Sequence, residues 1–273
     1  MRVRLKNLIT ATALVLVAGG SLSACSDDGS SGGVGEESGT ALTRSNFLDE
    51  ITQAQTEAGS SHIKMAVDVA GQKLEADGDI QTGETMADSA MAMTMNTGQA
   101  GMGSLEMRLV DQIFYLNFGP MTDNKFAEID LTDKDNPIGK QYSEIVSNLD
   151  PAQQLKQFEG AVTSFEKKGK TVSLDGVDAQ PYVVVIDTSK MSGAAEAPPG
   201  MPKTLEYTMY IGPDNLPRRV LSQLPAAAGA GGGEMKIDYS KWGEKVSITK
   251  PDKAEITDKD FLSQLGGASP APS

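Results

Sequence analysis

From Ser61 onward the chain alternates. In "SHIKMAVDVAG", Ile63, Met65, Val67 and Val69 fall between His62, Lys64, Ala66 and Asp68. A period of two sends the two sets to opposite faces of an extended strand, leaving one face dry. Gly71-Gln72 turns the chain into "KLEADGDI", where Leu74, Ala76, Gly78 and Ile80 alternate with Lys73, Glu75, Asp77 and Asp79. "MADSAMAMTMNT" then puts Met91, Met93 and Met95 on one face. "GSLEMRLVDQIFYLNFG" reads as two strands around Asp111-Gln112, and "KFAEIDL" as another. Alternation this sustained, punctuated by short turn signals, predicts an antiparallel meander.

The meander breaks at "TDKDNPIGKQYSEIVSNLDPAQQLKQFEGA". Pro137 and Pro151 each suit a first helical turn, the second behind a capping Asp150. Tyr142, Ile145, Val146 and Leu149 form one stripe; Leu155 and Phe158 form another. Two short helices are expected there. Strands resume in "AVTSFEKKG", "KTVSLDG", "AQPYVVVID", "TLEYTMYIG", "PRRVLSQL", "EMKIDYS" and "KVSIT". The doubly apolar "IFYLNF" and "YVVVI" read as central strands. Upstream, Thr43 caps a helix whose Phe47, Leu48, Ile51, Ala54 and Ala58 recur at helical spacing, and Gly59 ends it. A last short helix, "DKDFLSQL", closes the domain. A single sheet of a dozen strands curls rather than lies flat. The expected class is α+β: a large, strongly curved antiparallel sheet, a half-barrel, with short helices packed on its concave face.

The N-terminus is built differently. Arg2, Arg4 and Lys6 precede an apolar run, LITATALVLV, with the layout of a signal peptide. The run is too short for a permanent span, which needs ~20 apolar residues. It ends in Leu22-Ser23-Ala24-Cys25, around the sole cysteine. These four residues resemble the bacterial lipobox, in which the cysteine thiol takes a diacylglyceryl group and becomes the mature N-terminus. Two acyl chains hold a protein stably on a membrane, whereas one holds it marginally. The expected divisions are a signal peptide over 1–24, a disordered tether over 25–40, one domain over 41–265 and a disordered tail over 266–273. "SDDGSSGGVGEESGT" buries too little to offset its ordering entropy. As a coil it spans ~20 Å. The expected location is the extracytoplasmic face of the cell membrane, by a lipid anchor at Cys25.

Charge and residue types exclude several functions. The chain carries 24 Lys and Arg against 37 Asp and Glu; without Arg2, Arg4 and Lys6 the balance is −16. Nucleic acid is not expected as a partner, because phosphate contacts need clustered Lys and Arg. The same balance opposes adhesion of the domain to anionic headgroups. His62 is the only histidine, lies on the polar face of its strand, and is expected to be exposed. With it and one lipidated cysteine there is no ordinary zinc site and no nucleophile triad. "DKDN" at 133–136 lacks the glycine and distal glutamate of a calcium loop. No enzyme activity, metal or cofactor is expected. Trp242 is expected to pin the last hairpin, and the chain is expected to be monomeric.

The closing "MKIDYSKWGEKVSITKPDKAEI" resembles the final hairpin of the actinobacterial LppX/LprG-type lipoproteins, relatives of the LolA fold. "YIGPDNLPRRV" resembles the penultimate hairpin of the same family. That resemblance implies a half-barrel with helices inside and an apolar cavity that binds an acylated lipid or glycolipid. It implies carriage or presentation of that ligand across the cell envelope, with an envelope transporter as a partner. The cavity lining so implied is Ile63, Met65, Val67, Met91, Met93, Met95, Leu105 and Met107, with Val146 and Phe158 from the helices. Methionine makes a soft wall that adapts to varied acyl chains. Methionine also fills ordinary cores, so an anchored scaffold or sensor with a filled sheet is the alternative.

Overall fold

The computed structural model describes residues 40–69, 71–83, 85–96, 104–133, 160–190, 202–224 and 232–257. Among the described residues, the helix α1 (Phe47–Ala58) precedes twelve strands. Six follow in order: β1 (Ser60–Val69), β2 (Gln72–Gln81), β3 (Ala90–Asn96), β4 (Ser104–Val110), β5 (Ile113–Asn117) and β6 (Ala127–Asp130). Six more are β7 (Val162–Lys167), β8 (Val172–Leu174), β9 (Val177–Asp187), β10 (Thr204–Ile211), β11 (Pro217–Leu224) and β12 (Gly233–Ser240). The two helices expected over 137–158, the closing helix and the chain up to residue 39 lie outside the described residues.

Sheet order is β6-β5-β4-β3-β2-β1-β12-β11-β10-β9-β7, with β8 paired to β9 off this path. All strand pairs are antiparallel. The first six strands walk outward from the centre to one edge. The chain then passes to the far edge, and the later strands walk back until β12 meets β1. The described strands leave β6 and β7 as unjoined edges, so the sheet is open and fits a curved half-barrel.

Local chemistry sets the turns. Asp111 and Gln112 both take positive φ, 52° and 63°, as a two-residue hairpin with the twist of its strands demands. Gly59 adopts φ 72° and its N–H donates to the Gln55 carbonyl, ending α1. The helix starts later than Thr43. Asn46 is its N-cap residue, and the Asn46 Oδ1 accepts from the Thr43 N–H at 2.6 Å and the Thr43 hydroxyl at 2.8 Å. Gly78 permits a close approach: a Cβ there would strike the Ala92 carbonyl oxygen and the Met93 Cα. A strand glycine that admits a neighbouring backbone is a usual device for bending a sheet.

Two strand expectations are corrected. "KVSIT" is not a strand. Residues 241–257 leave β12 through a turn, with Lys241 and Gly243 at positive φ, and run as a strap along the polar face to a short 3-10 helix over Lys253–Glu255. There the Ser60 hydroxyl donates to the Glu244 carbonyl at 2.6 Å, Arg108 Nη1 donates to the Thr249 carbonyl at 3.2 Å, and Phe126 bridges Ile256. β5 and β9 are each the second strand from an edge, not central. Their doubly apolar character suits cover on both faces; Tyr115, on the strap side of β5, is only 3% exposed.

Candidate ligand-binding face

Register assigns every strand residue to a face. Ile63, Met65 and Val67 of β1 stand opposite Gly78, Ala76 and Leu74 of β2. On β3, Met91, Met93 and Met95 stand opposite Ile80, Gly78 and Ala76. On β4, Leu109, Met107 and Leu105 face those three methionines in turn. Leu116 and Phe114 of β5 continue the row. Across the centre, β12 adds Tyr239, Ile237 and Met235 opposite Ile63, Met65 and Val67. Opposing residues of an antiparallel pair share a face, so the eight strand residues named from sequence lie on one apolar face.

Their burial differs. Ile63 is core, 4% exposed, clustered with Ile80, Met235 and Ile237. Met65, Val67, Met91, Met93, Met95, Leu105 and Met107 are half-buried. On the same face, under α1, the pattern is different. Phe47, Leu48, Ile51, Ala161, Val162, Val184, Ile186 and Ile211 form a cluster in which no member is more than 4% exposed. Phe47, Phe165 and Tyr182 stack in sequence at 4.2 and 4.7 Å. Full burial of an apolar side chain contributes ~1.5–3 kcal/mol, so this half carries most of the packing energy. Val146, Phe158 and Cys25 lie outside the described residues.

The opposite face is wet and paired. His62 is not exposed as expected. Its side chain keeps 15% of its surface, with Nδ1 at 2.8 Å from Asp79 Oδ1 and Nε2 at 3.3 Å from Asp77 Oδ2. Arg219 Nε donates to Asp238 Oδ1 at 2.5 Å, and Lys236 Nζ lies 3.0 Å from Asp238 Oδ2. Burial pushes the Asp238 carboxyl up, but Arg219 and Lys236 together outweigh it and hold the pKa below its ordinary value. Beyond the end of β12, Trp242 serves as a pin: its Nε1–H donates to the Pro217 carbonyl at 3.0 Å and its ring stacks at 5.8 Å on Tyr239, which belongs to the apolar face.

Sequence reasoning passed over the polar groups on the apolar face. Tyr207 of β10 and Tyr239 of β12 are half-buried there. Burial alone raises both phenols, Tyr239 to about 12. Their signal was present: each occupies an inward position of an alternating strand, in "TLEYTMYI" and "EMKIDYS". Among the described residues, no three His, Cys, Asp or Glu side chains could hold a metal ion, and no helix is long and apolar enough to cross a membrane.

No family model matches the chain, and no curated protein matches it. Among solved structures the chain is similar to LprF from Mycobacterium bovis, a member of the LppX/LprG family. The identity is 16% and the TM-score 0.46, over 76% of this chain and 96% of that one. It is also similar to a DUF1329 family protein from Desulfovibrio piger, at 9% identity and TM-score 0.27, over 72% of this chain and 90% of that one. A third likeness is to an outer membrane lipoprotein-sorting protein domain from Vibrio parahaemolyticus, at 9% identity and TM-score 0.26, over 72% and 89%.

Proposed function

We propose that the protein is an envelope lipoprotein, held at the cell membrane by acylated Cys25, that binds an acylated lipid or glycolipid on the apolar face of its sheet. The observation that carries this reading is the half-buried state of Met65, Met91, Met93, Met95 and Met107 beside fully buried neighbours on the same face. A filled core would bring such side chains to the burial of Ile63 and Ile80. Thioether chains wrap acyl tails of differing length at small cost, and tail burial at ~25 cal/mol per Å² supplies affinity. The signal-like run before Cys25 and the Gly/Ser-rich stretch after it support a location outside the membrane. Carriage across the envelope is the use such a site serves.

The test uses the non-acylated chain, Cys25→Ser, purified without detergent. Native mass spectrometry and lipid extraction are expected to find an amphiphile at about one per chain. Met93→Glu and Leu105→Glu are expected to remove it while circular dichroism stays unchanged. Clean protein that also fails to bind a fluorescent fatty-acid probe would favour the anchored scaffold.

A further inference from the structure

Two large apolar side chains stand out in solvent among the described residues: Met121, 60% exposed, and Val172, 43%. They occupy opposite ends of the sheet. Ile211, the last residue of β10, stands opposite Gln180 of β9 and Pro217 of β11. The β10–β11 turn and the start of β9 therefore lie at one end of neighbouring strands. Val172 of β8 is at that end, opposite Ala179 of β9. Following the antiparallel order across the sheet, β5 begins at that end and runs away from it, so Met121 stands at the other.

The chain around Val172 is held in place. The Lys168 N–H donates to the Pro181 carbonyl at 2.9 Å, and Gln180 Nε2 donates to the Lys168 carbonyl at 3.3 Å. Asp175 and Gly176, at φ 51° and 78°, close the β8–β9 hairpin as a two-residue turn. The exposure of Val172 is thus built into the hairpin.

The same end receives the chain from Cys25. Thr40 is the first described residue, and its carbonyl accepts from Asn215 Nδ2 at 3.1 Å. Asn215 is 6% exposed and sits in the β10–β11 turn. Residues 26–39 separate Thr40 from Cys25. A Gly/Ser coil of that length spans ~20 Å, whereas β10 alone, with 8 residues, runs ~27 Å. A leash that enters at Asn215 brings the Val172 end to the bilayer before the Met121 end.

Net charge opposes contact between the whole domain and anionic headgroups, so such a contact needs a local exception. Lys167, Lys168 and Lys170 supply one: from Lys167 to Ser173 every residue is exposed and none is acidic. Among the described residues no ion pair engages these three lysines. The acids nearest in sequence are Glu166, which accepts from the Ser164 hydroxyl at 3.0 Å, Asp175 in the hairpin turn, and Asp178, opposite Ser173 on the face away from Val172. Lysine keeps its ammonium among headgroups while its stem and an apolar neighbour enter the interface.

We infer that Lys167, Lys168, Lys170 and Val172 dock the domain on the anionic surface of the membrane that holds Cys25. This rests on the proposed acylation of Cys25 and is independent of the lipid-binding face. The anchor keeps the patch at ~mM effective concentration, so weak affinity suffices, and each lysine near an anionic surface strengthens contact about fivefold.

The experiment uses the acylated full chain in vesicles of equimolar phosphatidylcholine and phosphatidylglycerol. Because Cys25 is the sole cysteine and is blocked by acylation, Ser173→Cys supplies one free thiol for a fluorophore, and Met121→Cys supplies one at the far end. Nitroxide-labelled lipids are expected to quench the label at 173 and to spare the label at 121. Lys167→Gln with Lys170→Gln is expected to lower the ratio of docked to undocked protein roughly twentyfold, and Val172→Ser about threefold. Pure phosphatidylcholine vesicles are expected to remove the difference between the two labels. Quenching at 121 that equals or exceeds that at 173, or quenching at 173 that is indifferent to phosphatidylglycerol or to the lysine substitutions, overturns the docking; flotation of the protein with the vesicles then leaves the anchor standing. A chain that floats with neither vesicle overturns the anchor and the docking together.

Discussion

The two halves of the apolar face follow one sequence rule and reach different states. Beneath α1, the inward residues of β7, β9 and β10 are closed off: Val162, like Ala161 just before it, has no exposed surface, and Val184, Ile186 and Ile211 keep 2% each. On β3 and β4, inward residues at the same spacing stay half-buried. The strands differ little in alternation. Among the described residues, what differs is the cover, since α1 carries Phe47, Leu48 and Ile51 onto one half. Period therefore decides which side a residue faces, and a separate element decides whether that side becomes core or wall.

The strongest way to break this comparison is truncation on each side of it. Phe47→Ala is expected to cost about 3–5 kcal/mol, the loss of a buried aromatic plus the cavity it leaves. Met93→Ala is expected to cost about 1 kcal/mol, because a half-buried side chain loses less contact and leaves no sealed void. Urea denaturation of the two variants measures both. Equal costs would mean that the methionines are packed like the residues under the helix.

Alkaline titration sharpens it next. The folded pKa of Tyr239 lies above that of an exposed phenol, pushed up to about 12 by burial. Folding is then favoured by the protonated phenol up to about pH 10, and that contribution fades as pH rises through about 12. Ultraviolet titration of tyrosinate is expected to show late ionisation, shared with the raised phenols of Tyr115, Tyr182 and Tyr207, whose last step near pH 12 is removed by Tyr239→Phe. A last step that survives the substitution would mean that another phenol is the most deeply buried.

A smaller effect tests the bend under the wall. Gly78→Ala pushes a methyl group against the Ala92 carbonyl and Met93, at about 1–3 kcal/mol for forced overpacking. Hydrogen exchange is expected to quicken in β2 and β3 while β9 and β10 amides hold their protection. Uniform quickening would mean that the halves unfold as one unit.

Much of this was legible from alternation, because a strand with one wet face writes its register into every second residue. Within each strand that rule set which of the eight residues share a face, and the register shows that those faces coincide across β1, β3 and β4. The strap was not. "KVSIT" also alternates, and Val246 and Ile248 are indeed half-buried. They are so because an unpaired segment lies against the polar face, and periodicity carries no information about hydrogen-bond partners. Nor could it find Gln55, buried with its Oε1 unpartnered among the described residues, which reads as an ordinary surface residue of an amphipathic helix until the sheet beneath it is known. His62 was misjudged for a similar reason. Its place on the wet face was right, but two carboxylates from the next strand close over it, and cross-strand neighbours are set by register.

The smallest effect lies at the seam between the halves, where β12 carries Asp238. Arg219 and Lys236 hold its pKa below the ordinary carboxylate value despite burial, so its ionised form favours folding. That contribution is complete above about pH 4, the unfolded value, and is lost as pH falls through the lower folded value. A partly exposed pair of this kind contributes about 0.2–1 kcal/mol. Arg219→Gln is expected to shrink the drop in stability measured by urea denaturation between about pH 6 and pH 2. Because β11 and β12 join the roofed half to the wall, acid is expected to loosen both together, and β2–β3 and β9–β10 amides should lose protection in parallel. If only the wall loosened, the seam would belong to the roofed half alone, and the boundary between core and wall would lie at β1 instead.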